Sequence, residues 1–245
     1  MNGVLKKSVL PVMAISVFFL VYAITHDILD RHDMPDSQIT VSTELRDVSQ
    51  TDIEEVKREV RKALNSIPPV LGIEYRKITK IKIVDYGICN AEGGIVSVPI
   101  AHIRDNSANI IHEVTHIIAK HENNSFFAEG LAVYFQARFG KNHVFPNFSV
   151  PLDDLVRNHQ NQLIHITKLT NDNEIFNQVG TERRKLAYIE AGSFFNFLVI
   201  KYGEEKLADL HNSKTLNYKK VYGKKIKELE AEWKKYILRN TPIKT

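Results

Sequence analysis

The segment IIHEVTHIIAKHENNSFFAEGLAVYFQARF, residues 110–139, decides how the rest of the chain is read. Apolar residues at 110, 111, 114, 117 and 118 predict a helix from about Asn106 to His121, with Asp105 or Asn106 as its amino-terminal cap. A second helix is expected from about Phe126 to Phe139, stopped by Gly140, with the short polar turn His121–Ser125 between the two.

Inside the first helix, residues 112–116 read His-Glu-Val-Thr-His. Positions four apart share a helix face, so His112 and His116 can offer imidazole nitrogens to one metal ion. Glu113 is turned about 100° from His112, which puts it beside such a site without chelating, where a base acting on metal-bound water belongs. Two histidines and a glutamate are expensive on so apolar a helix unless something satisfies them. Glu129 follows His116 by thirteen residues on the second helix, and a tight antiparallel pair can bring it across from both rings. Two histidines and one carboxylate, with a position left for water, form the ligand set of a hydrolytic zinc site. A different role for Glu129 is that of an acid in the first turn of its helix, where negative charge is favourable. Gly130 and Ala132 predict close packing of this helix on a neighbour.

Working outward, Gln38–Arg46 and Ile78–Val84 alternate apolar and polar residues as half-buried strands do, and Gly93–Pro99 is a further short β-prone run. Asp85–Glu92 reads as a turn, Gly93-Gly94 as a hairpin turn, and the 93–98 strand as an edge able to pair with an extended peptide. Asp52 is a candidate cap for a helix through about Ser66, stopped by Pro68-Pro69. Beyond the loop bracketed by Pro146 and Pro151 the pattern is helical, notably over Arg184–Lys201 and Ile226–Arg239. Strands first and helices later predict an α+β fold: a small mixed sheet with the metal helix, then a mostly helical part, with a cleft between.

The chain has 245 residues, 43% of them apolar and 25% charged, which suits a folded domain. Its one cysteine, Cys89, excludes an intrachain disulfide and a cysteine-rich zinc module. The net charge of +4 conceals a basic carboxyl end, where residues 214–245 hold ten Lys/Arg against three Glu. Those lysines read as the wet face of amphipathic helices, and with no base-reading motif beside them no nucleic-acid partner is expected. At the other end, Lys6 and Lys7 precede the uncharged run Ser8–Ile24, which at 1.5 Å per residue covers about 25 Å of a roughly 30 Å hydrocarbon core. Residues 1–25 are therefore expected to be an amino-terminal hydrophobic helix, either a single-pass signal-anchor in the cell membrane or a cleaved signal peptide. Residues 26–37 read as a linker and 38–245 as the exported domain.

HEVTH followed by AEGLAVYF resembles the gluzincin metallopeptidases, in particular the peptidase MA-like domains. The likeness extends to Tyr188–Leu207 and Leu229–Ile237. It implies a zinc-dependent peptidase of the α+β gluzincin type, holding one Zn2+ per chain through His112, His116 and Glu129. Glu113 would be the general base and a peptide or protein the substrate. Thermolysin-like gluzincins carry an Asp four residues after the glutamate ligand to orient a histidine. Val133 stands there, so that partner must come from elsewhere.

A donor to the developing oxyanion is also needed. Tyr188 is the candidate, against the reading that it is one more aromatic of the helix holding Phe194, Phe195 and Phe197; His165 is a weaker one. His102, His121, His143, His159 and His211 lack ligand spacing to one another. The expected function is peptide-bond hydrolysis outside the cytoplasm. The alternative is a catalytically silent zinc-binding module that recruits a partner or cell-envelope ligand.

Overall fold

The structure, a computed structural model, describes residues 38–239 apart from 122, 142, 143 and 214. The hydrophobic run 8–24, the linker 26–37, His143 and residues 240–245 of the basic tail lie outside the described residues. Among the described residues no helix is long and apolar enough to cross a membrane.

The order of elements is mixed α and β with helix predominating. β1 (Ile39–Thr43) leads into α1 (Gln50–Leu71), followed by β2 (Thr79–Val84), β3 (Asn90–Glu92) and β4 (Ile95–Pro99). Helices then follow one another: α2 (Ile100–Arg104), α3 (Ile110–Ala119), α4 (Ser125–Phe139), α5 (Leu152–Asn158), α6 (Ile166–Leu169), α7 (Glu174–Asn177), α8 (Glu182–Tyr202), α9 (Glu204–His211), α10 (Tyr218–Tyr222) and α11 (Ile226–Arg239).

The four strands lie in the order β1-β2-β4-β3. β1, β2 and β4 pair in parallel because α1 and the intervening hairpin return the chain to the same end, and β3 pairs antiparallel to β4. Two expectations change here. The stretch read as a turn contains β3, and β3 rather than the 93–98 run is the sheet's edge on that side. Gly93-Gly94 is the hairpin turn between β3 and β4, with both φ angles positive at 58° and 79°, the backbone a two-residue hairpin asks of its loop. In β2, Thr79, Ile81 and Ile83 are buried and in β4 Val96 and Val98, so one face of the sheet is closed.

Helix α1 starts differently from its expectation. Ser49 is the cap, accepting from the Asp52 N–H at 3.2 Å while the Asp52 carboxylate accepts from the Ser49 N–H at 2.9 Å, a reciprocal pair. Nor does it stop before Pro68. Both prolines sit in its last turn, where buried Ile67, Val70 and Leu71 hold the chain. Left-handed Gly72 closes the helix through bonds to the Pro68 and Pro69 carbonyls.

Helix α3 is shorter than expected, beginning after Asn109; Asp105 caps the preceding turn instead, accepting from the Ser107 N–H at 3.0 Å. It packs against α1, the β3–β4 hairpin and α4, and α4 packs in turn along α8. Helices α5, α8 and α11 are tied by one partly buried network: the Trp233 Nε1–H donates to Ser193 Oγ at 3.0 Å, Ser193 donates to Asp153 at 2.6 Å, and the Tyr236 hydroxyl donates to Asp153 at 3.0 Å. In α11 only Leu229, Glu230, Trp233 and Ile237 are buried, which leaves its lysines toward water as expected.

Candidate metal centre

Helices α3 and α4 carry the three candidate metal ligands and are joined by a turn that reverses the chain at once. Lys120 adopts the left-handed conformation (φ 52°, ψ 49°) at the end of α3, and Asn124 caps α4 by accepting from the Phe127 N–H at 2.9 Å. The reversal sets Glu129 opposite the two histidines. Its Oε2 stands 3.2 Å from His112 Nε2 and 3.4 Å from His116 Nε2, and the two Nε2 atoms are 3.3 Å apart.

Four donors placed tetrahedrally at about 2.0–2.1 Å from one cation would be separated by about 3.3–3.4 Å. The triangle observed is one face of that tetrahedron. It is also the only cluster of three such ligands among the described residues. Glu129 Oε2 is buried with the two imidazole nitrogens as its nearest polar neighbours, where a cation would meet all three at once. The donor set could therefore hold a metal ion.

Electrostatics agree with the geometry. Burial pushes the Glu129 carboxyl up, but hydrogen bonding and charge from His112 and His116 outweigh it and hold the group ionised. For His116, burial works against the charged ring and the neighbouring Glu129 carboxylate overcomes it, so its pKa rises. Glu113 is 6% exposed, and burial raises its pKa against the opposing pull of the two imidazoles. Its Oε1 accepts from the Asn109 side chain at 3.0 Å, which fixes the carboxylate beside the triangle. The amino end of α3 is held by Gln136 of α4, itself buried. Its Oε1 accepts from the His112 N–H at 3.0 Å, and its Nε2 donates to the Lys141 carbonyl at 3.1 Å.

Tyr188 comes to the same place from α8. Its ring lies nearly parallel to that of His112, 6.1 Å away at 9°, and it borders the cleft that contains all three candidate ligands. Burial first, then the Glu129 carboxylate, hold its hydroxyl well above the ordinary tyrosine range, so it keeps its proton. Arg184, one helical turn earlier, donates to that hydroxyl at 2.8 Å and to the Phe176 carbonyl at 2.6 Å. Sequence reasoning passed over Arg184 and Asn109. Arg184 is detectable only as the residue four before Tyr188, and Asn109 as the residue four before Glu113.

The other candidates stand outside the triangle, although His102, His121 and Cys89 line the same cleft. His165 pairs with Glu230 at 3.0 Å and borders a separate 480 Å³ groove, so it is not an oxyanion donor for this centre. His121 and His211 bond each other at 2.8 Å, and burial lowers His211 to about 4. Cys89 is buried 3.7 Å from His102 Nδ1, and burial pushes its thiol up to about 12, which makes it a poor nucleophile.

The close packing expected of Gly130 is with α8. A Cβ on Gly130 would meet the Phe195 ring at 2.4 Å, and one on Gly192 would meet Val133 at 2.3 Å. Val133 thus fills the seam between α4 and α8, where an aspartate would be buried against apolar groups. His112 Nδ1 is left buried without a hydrogen-bond partner.

The centre opens into a cleft of about 1210 Å³. One wall is the β3–β4 hairpin and α3, the other the segment around Phe145 and Phe148 with Val179, Arg184 and Tyr188. The chain matches no family model, no curated protein and no solved structure.

Proposed function

We propose that the protein is a zinc-dependent metallopeptidase, with His112, His116 and Glu129 as ligands and Glu113 as general base. The observation that carries this reading is the 3.2–3.4 Å triangle of two imidazole nitrogens and a carboxylate oxygen, opening into a cleft beside a second, non-chelating carboxylate. Zinc bound there supplies Lewis acidity to water and to the scissile carbonyl.

The chain's own residues do the rest. Glu113, oriented by Asn109, takes a proton from water as the water oxygen adds to the carbonyl carbon, and hands it to the amine as the C–N bond breaks. The protonated hydroxyl of Tyr188, with the Arg184 guanidinium behind it, is the donor available to the negative charge that develops on the carbonyl oxygen. The Lys6–Ile24 sequence supports an anchored or secreted placement, with the domain outside the cytoplasm.

The decisive experiment measures zinc content and cleavage of a peptide library for wild type and Glu113→Gln. A peptidase keeps its zinc and loses hydrolysis by several orders of magnitude. Equal turnover by the two proteins overturns the assignment of Glu113, and absence of turnover in zinc-loaded wild type overturns the enzyme. The partnerless His112 Nδ1 favours a second reading, a zinc-binding module without catalysis, because a ligand histidine in a working site normally has its other nitrogen engaged.

A further inference from the structure

Two features of the cleft lie outside the metal chemistry. The first is its apolar rim. Ile78, Ile88 and Ile95 on the sheet side and Phe148 and Val179 opposite are all 40–72% exposed, and all five line this one cleft. Exposed large apolar groups gathered around a concave site mark a surface that expects cover.

The second is a set of lysines at one end. Lys77, Lys80 and Lys120 also line the cleft, and among the described residues none has a carboxylate within ion-pair distance. Lys77 and Lys120 both line the cleft, and the charge of Lys120 holds Lys77 below the ordinary lysine range. Lys120 also occupies the left-handed position after α3, where glycine or asparagine is easier to place. Among the described residues Glu92 is the one acid lining the cleft besides Glu113 and Glu129. Two neighbouring cations with no carboxylate paired to them among the described residues make a receptor for an anion.

Resting on the hydrolase reading, we infer that the substrate is a polypeptide with apolar side chains about its scissile bond and a carboxylate seated between Lys77 and Lys120. That carboxylate comes from an acidic side chain or from the peptide's own carboxyl end. The spacing sets where it falls. Lys120 is four residues beyond His116, about 6 Å along the helix axis, so the carboxylate lies within a few residues of the bond cut.

The test is binding, read by fluorescence anisotropy on the zinc-loaded full chain carrying Glu113→Gln, so that nothing is consumed. The probes are one apolar peptide with an aspartate near its centre and a free carboxyl end, its Asp→Asn form, its carboxyl amide, and the peptide with both changes. Removing the carboxylate that docks should weaken binding about three- to tenfold, and the loss should shrink at high salt. The Asn and amide arms identify its source. Lys77→Glu, and separately Lys120→Asn, should abolish the discrimination with zinc content unchanged. Replacing the peptide's apolar residues with serine should weaken binding to all forms. Four probes that bind alike, or discrimination that survives both lysine substitutions, overturn the inference. Discrimination in binding without cleavage by the chain that retains Glu113 would overturn the hydrolase reading and leave the recognition site standing.

Discussion

Phe195 lies so close to Gly130 that a single methyl group on the glycine would stand 2.4 Å from the edge of the ring. The contact fixes how near α4 and α8 approach, and it sits one residue from Glu129, the proposed ligand. Gly130→Ala must push the ring or the helix aside. It should lower unfolding stability by about 1–3 kcal/mol in urea titrations and weaken zinc binding with it. An unchanged midpoint would remove the packing argument.

If the triangle of His112, His116 and Glu129 holds a cation, binding stabilises the folded chain. At free zinc a hundredfold above Kd the gain is about 2.7 kcal/mol. Chelation should therefore lower the thermal midpoint of wild type, while His112→Ala and Glu129→Ala should show neither stoichiometric zinc nor a response to chelator.

Tyr188→Phe keeps the ring beside His112 and removes only the hydroxyl. Zinc content should be unchanged, and kcat should fall about 10²–10³-fold with little change in KM. A rise in KM or a loss of zinc affinity, with kcat preserved, would make Tyr188 part of the packing alone.

Glu190 of α8 supplies a pH test away from the metal. It is fully buried, accepts from the Ile164 N–H at 2.8 Å, and burial raises its pKa to about 8. Below about pH 4.5 both folded and unfolded chains hold this proton. Between about 4.5 and 8 the unfolded chain releases it and the folded chain does not, so stability falls as pH rises through that window and levels off above it. Glu190→Gln keeps the acceptor and removes the part of the slope that Glu190 contributes. The substituted protein should exceed wild type by a few kcal/mol, roughly, at pH 8 and match it near pH 4.5.

How much of this was readable beforehand follows from sequence distance. His112 and His116 share a face through helix geometry alone, and Glu129 returns through a turn of a few residues, so the ligand cluster was visible as a pattern. β3 was not, because Asn90-Ala91-Glu92 has no apolar alternation of its own and becomes a strand only by bonding to β4. Pro68-Pro69 misled because a proline rule weighs the missing N–H, whereas buried Ile67 and Leu71 decide the last turn of α1. Arg184 joins the site only when α8 packs along α4, a contact that no local pattern encodes.

The left-handed turn at Lys120 also bears on how the chain assembles. It closes a loop short enough that bringing the ends together costs little chain entropy, whereas the parallel strand pairs must wait for α1 and the hairpin to be laid down. An ion captured by a half-collapsed polypeptide would meet its whole coordination set inside one helical hairpin. The metal would then seed folding as well as serve as reagent, and zinc-starved cells would accumulate protein that had never matured rather than protein merely lacking its ion.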